Sequence, residues 1–500
     1  VSNWEIAVLV AEYLIKILAV GLVPDGRKPG SANAWLLLIL FLPAVGLPLY
    51  LLMGSNYVDR RRHQRQKRAN DSISEVFDYW ENPSVGPEVD SIMRQNRTLT
   101  HIPALGSTVE GFHPGYEESI DAMARAIDTA DKYVYVEIYT IAWDETTDPF
   151  FKALARATAR GVTVKLLFDH IGTFKYPKYL KLGERLDSIG VDWRPMLPLQ
   201  PFKWRFRRPD LRNHRKLVVV DNQVAFMGSQ NMIERSYRTA FQRHSDRAWV
   251  DAMVELTGPI VSTLTMVFAI DWYSETEEIV EYTEHQIPAG EDVMQLVPSG
   301  PGFTADPNLR LFNSVVHSAK ERVVLCSPYF IPDTSLLDAV TSAAYRGVRV
   351  QLLVNEKADQ FMVHHTQCSY YQNLLDAGIE IYQYPMPYVL HTKYVLVDPG
   401  SADAEALTPG AAAGSTPTGS VTAGSTPTTC VFGSSNMDMR SFGLNYEVSL
   451  FATGQLCTDL ERLTDEYLNV SKQLTQEEWS TRSFPRRWLD NALRLTSALQ

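Results

Sequence analysis

His214-Arg215-Lys216-Leu217-Val218-Val219-Val220-Asp221 returns later in the chain as His391-Thr392-Lys393-Tyr394-Val395-Leu396-Val397-Asp398. Both stretches read HxKxxxxD. A single histidine ahead of a Val-rich run is ordinarily structural; the same spacing at matching places in a repeat marks a functional site. Branched apolar residues follow each lysine, so each motif predicts a β-strand. Side chains alternate faces along a strand, which puts His214 with Lys216, and His391 with Lys393, on one face. Asp221 and Asp398 fall on the other, as structural supports of the motif.

The flanking chain repeats as well. Val134-Tyr135-Val136-Glu137-Ile138 predicts a strand, helical periodicity runs up to Ala159, and Arg160-Gly161-Val162-Thr163-Val164-Lys165-Leu166-Leu167 opens another strand. The later copy is Val323-Val324-Leu325-Cys326, a helix ending near Tyr345, then Arg346-Gly347-Val348-Arg349-Val350-Gln351-Leu352-Leu353. Ser188-Ile189-Gly190-Val191 matches Ala377-Gly378-Ile379. Strands alternating with helices, with glycine at helix ends, predict one α/β fold written twice. Residues 70–105 read as a linker or surface wrap. Residues 399–429 are almost all Ala, Gly, Ser, Thr and Pro, too poor in apolar surface to fold, and are expected to be a disordered insertion.

A turn at Asn222-Gln223 would return the first motif strand along residues 225–232. Pairing Asp221 with Val224 puts Lys216 opposite Ser229 and His214 opposite Asn231. The same arithmetic puts Lys393 opposite Ser434 and His391 opposite Asn436, with the insertion hanging from the hairpin tip. The two serines and two asparagines are thus candidate phosphate ligands. Asp251 and Glu447, each seven residues before a glycine (Gly258, Gly454), are candidates to hold a histidine's second nitrogen and fix its tautomer.

The chemistry open to this set is narrow. The 4 cysteines (Cys326, Cys368, Cys430, Cys457) have no CxxC or CxH spacing and read as free thiols. Adjacent His364 and His365 would point to different faces of a helix, so they do not read as a metal pair. Lysines and amides suit a tetrahedral phosphoryl group as its charge develops. One imidazole can attack phosphorus to give a phosphohistidine. The other can protonate the leaving alcohol and then deprotonate the incoming one. The residues predict phosphodiester exchange without metal or cofactor, and leave open which histidine attacks.

With 45% hydrophobic and 21% charged residues, the 500-residue chain has the composition of a folded protein and the length of more than one domain. Its net charge of −11 argues against a nucleic-acid partner. Residues 6–23 are apolar apart from Glu12 and Lys16, spaced to pair on a helix face, and residues 34–53 are unbroken apolar. Each run approaches the roughly 20 residues that cross a bilayer. Pro24-Asp25-Gly26-Arg27-Lys28-Pro29-Gly30 connects them, predicting a transmembrane helical hairpin over residues 1–56. Pro43 and Pro48 would kink the second segment or make it re-entrant.

The basic run Arg60, Arg61, Arg62, Arg65, Lys67 and Arg68 places the body on the cytoplasmic side, beside anionic headgroups. Phe202-Lys203-Trp204-Arg205-Phe206-Arg207-Arg208 reads as an aromatic and cationic surface for an anionic leaflet, or as a strand with an exposed basic face. Residues 479–499, with Arg482, Arg486, Arg487, Trp488 and Arg494, read as a second such contact or as a docking helix.

With its duplicated motifs the chain resembles the phospholipase D superfamily across residues 111–454. Leu47-Pro48-Leu49-Tyr50-Leu51-Leu52-Met53-Gly54, Arg212-Asn213-His214-Arg215-Lys216 and Ser327-Pro328-Tyr329-Phe330-Ile331-Pro332-Asp333 are similar to bacterial cardiolipin synthases in particular. The resemblance implies two tandem phospholipase D-like α/β domains related by a pseudo-twofold, each a mixed sheet flanked by helices. They would span 111–285 and 286–475, after the hairpin and a basic segment over 57–110, and before an amphipathic tail over 476–500.

The resemblance also implies His214 as nucleophile, His391 as general acid and base, and no cofactor. It implies phosphatidylglycerol as donor and acceptor, anionic membrane lipids as partners, and a bacterial inner-membrane location; a homo-oligomer is compatible with it. Glu137, Tyr139 and Tyr329 follow strands that should end near the cleft and, with Arg212, are further candidate substrate contacts. Hydrolysis by water, and transfer from phosphatidylethanolamine, would use the same motifs. A nuclease of the superfamily is disfavoured by the hairpin, the acidic charge and the full duplication.

Overall fold

The Val-rich run after each motif lysine becomes a fully buried strand near the middle of its half. The computed structural model describes residues 2–497 except 26, 28, 55–67, 69–76, 78–79, 201–204, 207, 240–245, 283–288, 304 and 400–426. Most of the basic run (Arg60 to Lys67), part of the stretch around Trp204, and the insertion from 400 to 426 therefore lie outside the described residues.

The first half contributes β1 (Leu105–His113), β2 (Tyr133–Ile138), β3 (Thr163–Asp169), β4 (Asp192–Met196), β5 (Lys216–Val220), β6 (Val224–Gly228), β7 (Ala248–Val250) and β8 (Met253–Thr257). The second contributes β9 (Asp292–Ser299), β10 (Arg322–Cys326), β11 (Arg349–Asn355), β12 (Glu380–Tyr384), β13 (Tyr388–Leu390), β14 (Tyr394–Val397), β15 (Thr429–Gly433), β16 (Asn445–Ala452) and β17 (Lys472–Leu474). All but β7 and β13, which pair with each other, build one 16-stranded mixed sheet in the order β17-β12-β11-β10-β14-β15-β16-β9-β1-β8-β6-β5-β2-β3-β4, with Arg212–Asn213 pairing off this path. Outward from the antiparallel β1·β9 junction, β8-β6-β5-β2-β3-β4 answers β16-β15-β14-β10-β11-β12. The repeat in the sequence is thus an approximate twofold in space.

The N-terminal segment holds α1 (Asn3–Leu22), α2 (Pro29–Phe41) and α3 (Pro43–Leu49). Next come α4 (Pro87–Thr100), α5 (Tyr116–Asp128), α6 (Asp148–Ala159), α7 (Ile260–Thr276), α8 (Pro307–Ser318) and α9 (Thr334–Tyr345). Last are α10 (Phe361–Cys368), α11 (Gln455–Val470) and α12 (Phe484–Arg494). Strand alternation sorts the apolar residues between the two faces of the sheet. Tyr133, Tyr135, Leu217 and Val219 join a core under α7 and α11 that also takes Val324, Cys326, Leu450 and Leu460. Val134, Val136, Val218 and Val220 pack instead with Phe150, Phe151 and Leu154 of α6. The first of these clusters runs through both halves, so shared apolar burial holds them together.

Four expectations change. The apolar N-terminal runs do form paired helices, with Ala19, Val23, Trp35 and Ile39 between them and Lys16 bonded to Glu12 at 2.5 Å. However, among the described residues no helix is long and apolar enough to cross a membrane. Glu5, Glu12 and Lys16 interrupt α1, and α2 ends at Phe41 because Pro43 cannot continue it. Within the expected linker, α4 buries Val89, Ile92 and Met93 in the second-half core, and Asn96 donates to Gln295 at 3.0 Å. The first sheet strand already begins at Leu105, ahead of the expected boundary at 111.

The motif hairpin is also one residue out of the expected register. Leu217 faces Met227 and Tyr394 faces Phe432, because the first turn takes in Asp221, Asn222 and Gln223. Asp221 and Asn222 hold φ of 51° and 57°, a left-handed geometry that Asp and Asn tolerate.

Candidate active site

Each motif histidine is held by the opposite half of the chain. Arg212–Asn213 pairs in parallel with Asn445 and Tyr446, and the His214 N–H donates to the Tyr446 carbonyl at 2.8 Å. The next residue, Glu447, meets His214 Nδ1 at 3.0 Å. In the other half β13 pairs in parallel with β7, and the His391 N–H donates to the Val250 carbonyl at 2.8 Å. Asp251, next in line, lies 2.7 Å from His391 Nδ1. With Nδ1–H turned to a carboxylate, Nε2 of each imidazole keeps its lone pair for phosphorus or a proton. Asp251 and Glu447 thus stand where a tautomer-fixing carboxylate must stand, exchanged between halves.

The serines complete these carboxylates. Ser229 Oγ donates to Asp251 at 2.6 Å and Ser434 Oγ to Glu447 at 2.5 Å, so neither hydroxyl is left to donate to a phosphate. Asn231 is likewise engaged, accepting from the Thr140 N–H at 3.1 Å and donating to the Tyr237 hydroxyl at 3.0 Å. Asn436 differs: its Oδ1 is buried without a partner. Lys216 Nζ donates to its own motif's His214 carbonyl at 2.6 Å, and Lys393 does the same to His391.

Burial sets the electrostatics. It pushes both histidines down to about 4, against the pull of Glu447 on His214 and of Asp251 on His391. It also lowers Lys216 to about 7 and Lys393 to about 8, with the carboxylates opposing and the like charge of Lys393 depressing Lys216 further. The exchanged strand pairings bring both motifs to one site, where the charge of Lys393 also lowers His214 and that of Lys216 lowers His391. Asp251 and Glu447 would be raised by burial, but the facing histidines and lysines outweigh it and keep both lowered. The site therefore concentrates donors whose charged forms a phosphate anion would stabilise.

Asp221 and Asp398 point away, as strand alternation requires. The Asp221 carboxylate accepts the backbone N–H groups of Asp131, Lys132 and Tyr133, at 2.7, 2.9 and 2.7 Å. Asp398 takes those of Lys320, Glu321 and Arg322. Each pins its motif strand to the start of the neighbouring one.

The remaining sequence candidates divide. Tyr139 sits edge-on to His214 at 4.8 Å, with Lys216 Nζ 5.3 Å from its ring centre. Tyr329 donates instead to Asp359 at 2.6 Å. Arg212 is turned to Asp169 at 3.1 Å and to the carbonyls of Leu197 and Arg208, so it braces the loop ahead of His214. Glu137 is fully buried and accepts from Asn213 at 2.8 Å; burial, then the charge of Asp271, push its carboxyl well above the usual range.

Sequence reasoning missed three contributors. Arg215, the variable residue of the first motif, turns away from the site to an ion pair with Asp271 on α7 and donates to the Glu447 carbonyl at 3.1 Å. Its counterpart Thr392 meets the Tyr467 hydroxyl on α11 at 2.9 Å. Tyr237 stacks on Trp249 and stands 6.4 Å from the His391 ring. The matching places of Arg215 and Thr392 in the two motifs were the available signal for that pair; Tyr237 had none.

Comparison with known proteins agrees with this geometry. The family described as cardiolipin synthase, phospholipase D-like domain, matches residues 123–262 and 313–470, and a phospholipase D-nuclease N-terminal family matches 14–55. A cardiolipin synthase of Alkalihalophilus pseudofirmus is 27% identical, covering 100% of this chain and 95% of its own. Cardiolipin synthase A of Serratia proteamaculans is 29% identical over 95% of this chain and 93% of its own. In fold, a phosphatidylserine synthase of Haemophilus influenzae superposes with a TM-score of 0.56 at 14% identity, over 82% of this chain and 100% of that one. Two family segments that take in both motifs and most of the sheet assign the chain: it belongs to the cardiolipin synthase, phospholipase D-like domain family.

Proposed function

We propose that this chain is a phosphatidyltransferase that makes cardiolipin from two molecules of phosphatidylglycerol. The observation that carries the reading is the exchanged pair of contacts, His214 with Glu447 and His391 with Asp251, around two buried lysines. The bound phosphodiester anion favours the charged imidazole, so His391 enters the step carrying a proton on Nε2. His214 Nε2 attacks the phosphorus of the first lipid, the bond to the headgroup glycerol oxygen breaks, and His391 hands that oxygen its Nε2 proton. His391 then takes the hydroxyl proton of a second phosphatidylglycerol, whose oxygen attacks phosphorus and releases His214. Lys216 and Lys393 neutralise the equatorial oxygens as charge builds on them. Assignment of His214 as attacker follows the resemblance of its motif to the family's first. Tyr139 covers His214 as a candidate substrate contact.

The exposed apolar residues of α1, among them Leu9, Leu14, Ile17 and Leu22, support membrane attachment through the N-terminal helices. We read the protein as resident in the bacterial inner membrane with its sheet on the cytoplasmic side.

Full-length protein given headgroup-labelled phosphatidylglycerol, without added metal, is expected to release glycerol and form cardiolipin. Phosphatidic acid as sole product would replace transfer by hydrolysis. Turnover only after phosphatidylethanolamine is added would replace the donor.

A further inference from the structure

Beyond the histidines lies a second cavity, of about 500 Å³, at the corner where α10 meets α12. Arg247, Lys357 and Arg486 line it, together with Phe361 and Met386. Two acids, Glu356 and Asp359, share the lining, so its cations exceed its carboxylates by three to two. Asp359 accepts the Tyr329 hydroxyl at 2.6 Å, and Glu356 accepts the Met386 N–H at 3.2 Å. Nearby Asp490, 1% exposed, is taken by His365 at 2.7 Å and Arg482 at 2.9 Å, which clamps α12 onto α10. Lys357 and Arg486 are left without an ion-pair partner among the described residues.

Beside the cavity, the outer face of α12 is apolar and open to solvent, as are Phe361 and Met386 of the lining. At 100° per residue, Phe484 and Trp488 lie within about 60° of the direction opposite Asp490 on α12. They are 70% and 62% exposed, and Leu495 just beyond the helix is 81% exposed. Phe361 and Met362 at the start of α10 are 65% and 46% exposed, and Met386 is 57% exposed. Aromatic and aliphatic tips around a cationic hollow match the interface of an anionic bilayer, where rings enter the headgroup layer and cations meet phosphates.

The position has a consequence for the site. Arg247 leads directly into β7 and so to Asp251, while Met386 leads by way of β13 to His391. Those strands are three residues long, so the cavity stands about 10 Å of strand away from the second histidine.

We propose that this corner docks on an anionic bilayer and that its cavity seats one phosphate of that surface, separate from the phosphate between the histidines. The inference rests on the lipid reading above only in choosing a bilayer as partner. Docking there would hold the membrane plane at the mouth of the site, whichever way the N-terminal helices lie.

All four native cysteines are buried, so a cysteine placed on the surface takes a label alone. The full chain carrying His214→Ala and Trp488→Cys, labelled with a polarity-sensitive fluorophore, is reconstituted in nanodiscs of phosphatidylcholine with or without phosphatidylserine. The emission is expected to shift to the blue only in the anionic discs, and adding Lys357→Ala with Arg486→Ala is expected to remove most of the shift. A label at Tyr345→Cys, on another face of the second half, is expected to stay unchanged. Equal emission in both discs overturns the docking, and a shift that survives loss of both cations overturns the phosphate seat. The readout needs no turnover, so failure to make cardiolipin would leave it standing.

Discussion

Asp251 lies 140 residues from His391 in the chain and 2.7 Å from its Nδ1. The reciprocal contact, Glu447 to His214 Nδ1 at 3.0 Å, makes each half the custodian of the other's imidazole.

The exchange predicts distinct defects. Glu447→Gln and Asp251→Asn each replace an acceptor by a group that can favour the wrong tautomer, and each is expected to lower kcat by about 10²- to 10⁴-fold. Rapid quench would separate them. Glu447→Gln should act chiefly on formation of the covalent lipid adduct, whereas Asp251→Asn should slow both its formation and its consumption by the second alcohol. The reverse assignment would make His391 the attacker.

Removing the imidazoles sharpens the same test. His214→Ala is expected to abolish turnover altogether. His391→Ala is expected to leave a lipid adduct on His214, read by intact-mass spectrometry and peptide mapping.

The depressed lysines predict the alkaline behaviour. Lys216 at about 7 and Lys393 at about 8 lose charge in the empty site as pH rises through those values. A bound phosphodiester anion stabilises their charged forms and raises both. Accordingly kcat/KM, which reports the free enzyme, should fall between pH 7 and 9 while kcat holds to higher pH, measured in mixed micelles across that range. Parallel loss of both parameters would contradict this account.

Asp221 and Asp398 act on stability before chemistry. Asp221→Ala leaves three backbone N–H groups without their carboxylate and puts a less tolerant residue at a φ of 51°. A loss of about 3 kcal/mol is expected in denaturant melts. Asp221→Asn, which keeps one acceptor and tolerates the left-handed turn, should recover part of it.

The long insertion should be dispensable. Asp398 follows β14 and Thr429 begins β15, the place where the first half uses a short turn between Val220 and Val224. Deleting residues 402–428 is expected to leave transfer within about twofold, since the flanking Asp398 and Thr429 stand at the hairpin end remote from His391, where insertions are tolerated. Complete loss would mean that the segment reaches the site.

What the sequence disclosed followed local rules. Period-two alternation assigned Asp221 and Asp398 to the far face, and the repeat of Arg160-Gly161 in Arg346-Gly347 located matching strands. The hairpin register slipped by one because turn length depends on whether Asp221 and Asn222 enter the left-handed region, which pattern alone leaves undetermined. Ser229 and Ser434 were placed near the right residues but given the wrong acceptor, since nothing local foretold that Asp251 and Glu447 would sit against them. The exchange between halves was invisible for the same reason. It depends on pairing of two-residue and three-residue segments far apart in the chain. The N-terminal runs were legible as helices, and the breaks already visible in them, Glu12 and Lys16 on α1 and Pro43 after α2, are what keep either described helix from being both long and apolar enough to cross a membrane.

The palindromic strand order about β1·β9 bears on ancestry. A progenitor holding a single copy of the motif would have had its imidazole on one polypeptide and the matching carboxylate on another, and so would have been inert until two molecules met. Joining the copies end to end turned an encounter that depended on dilution into a permanent one. It also freed each copy to drift apart, Glu in one and Asp in the other, without losing its mate.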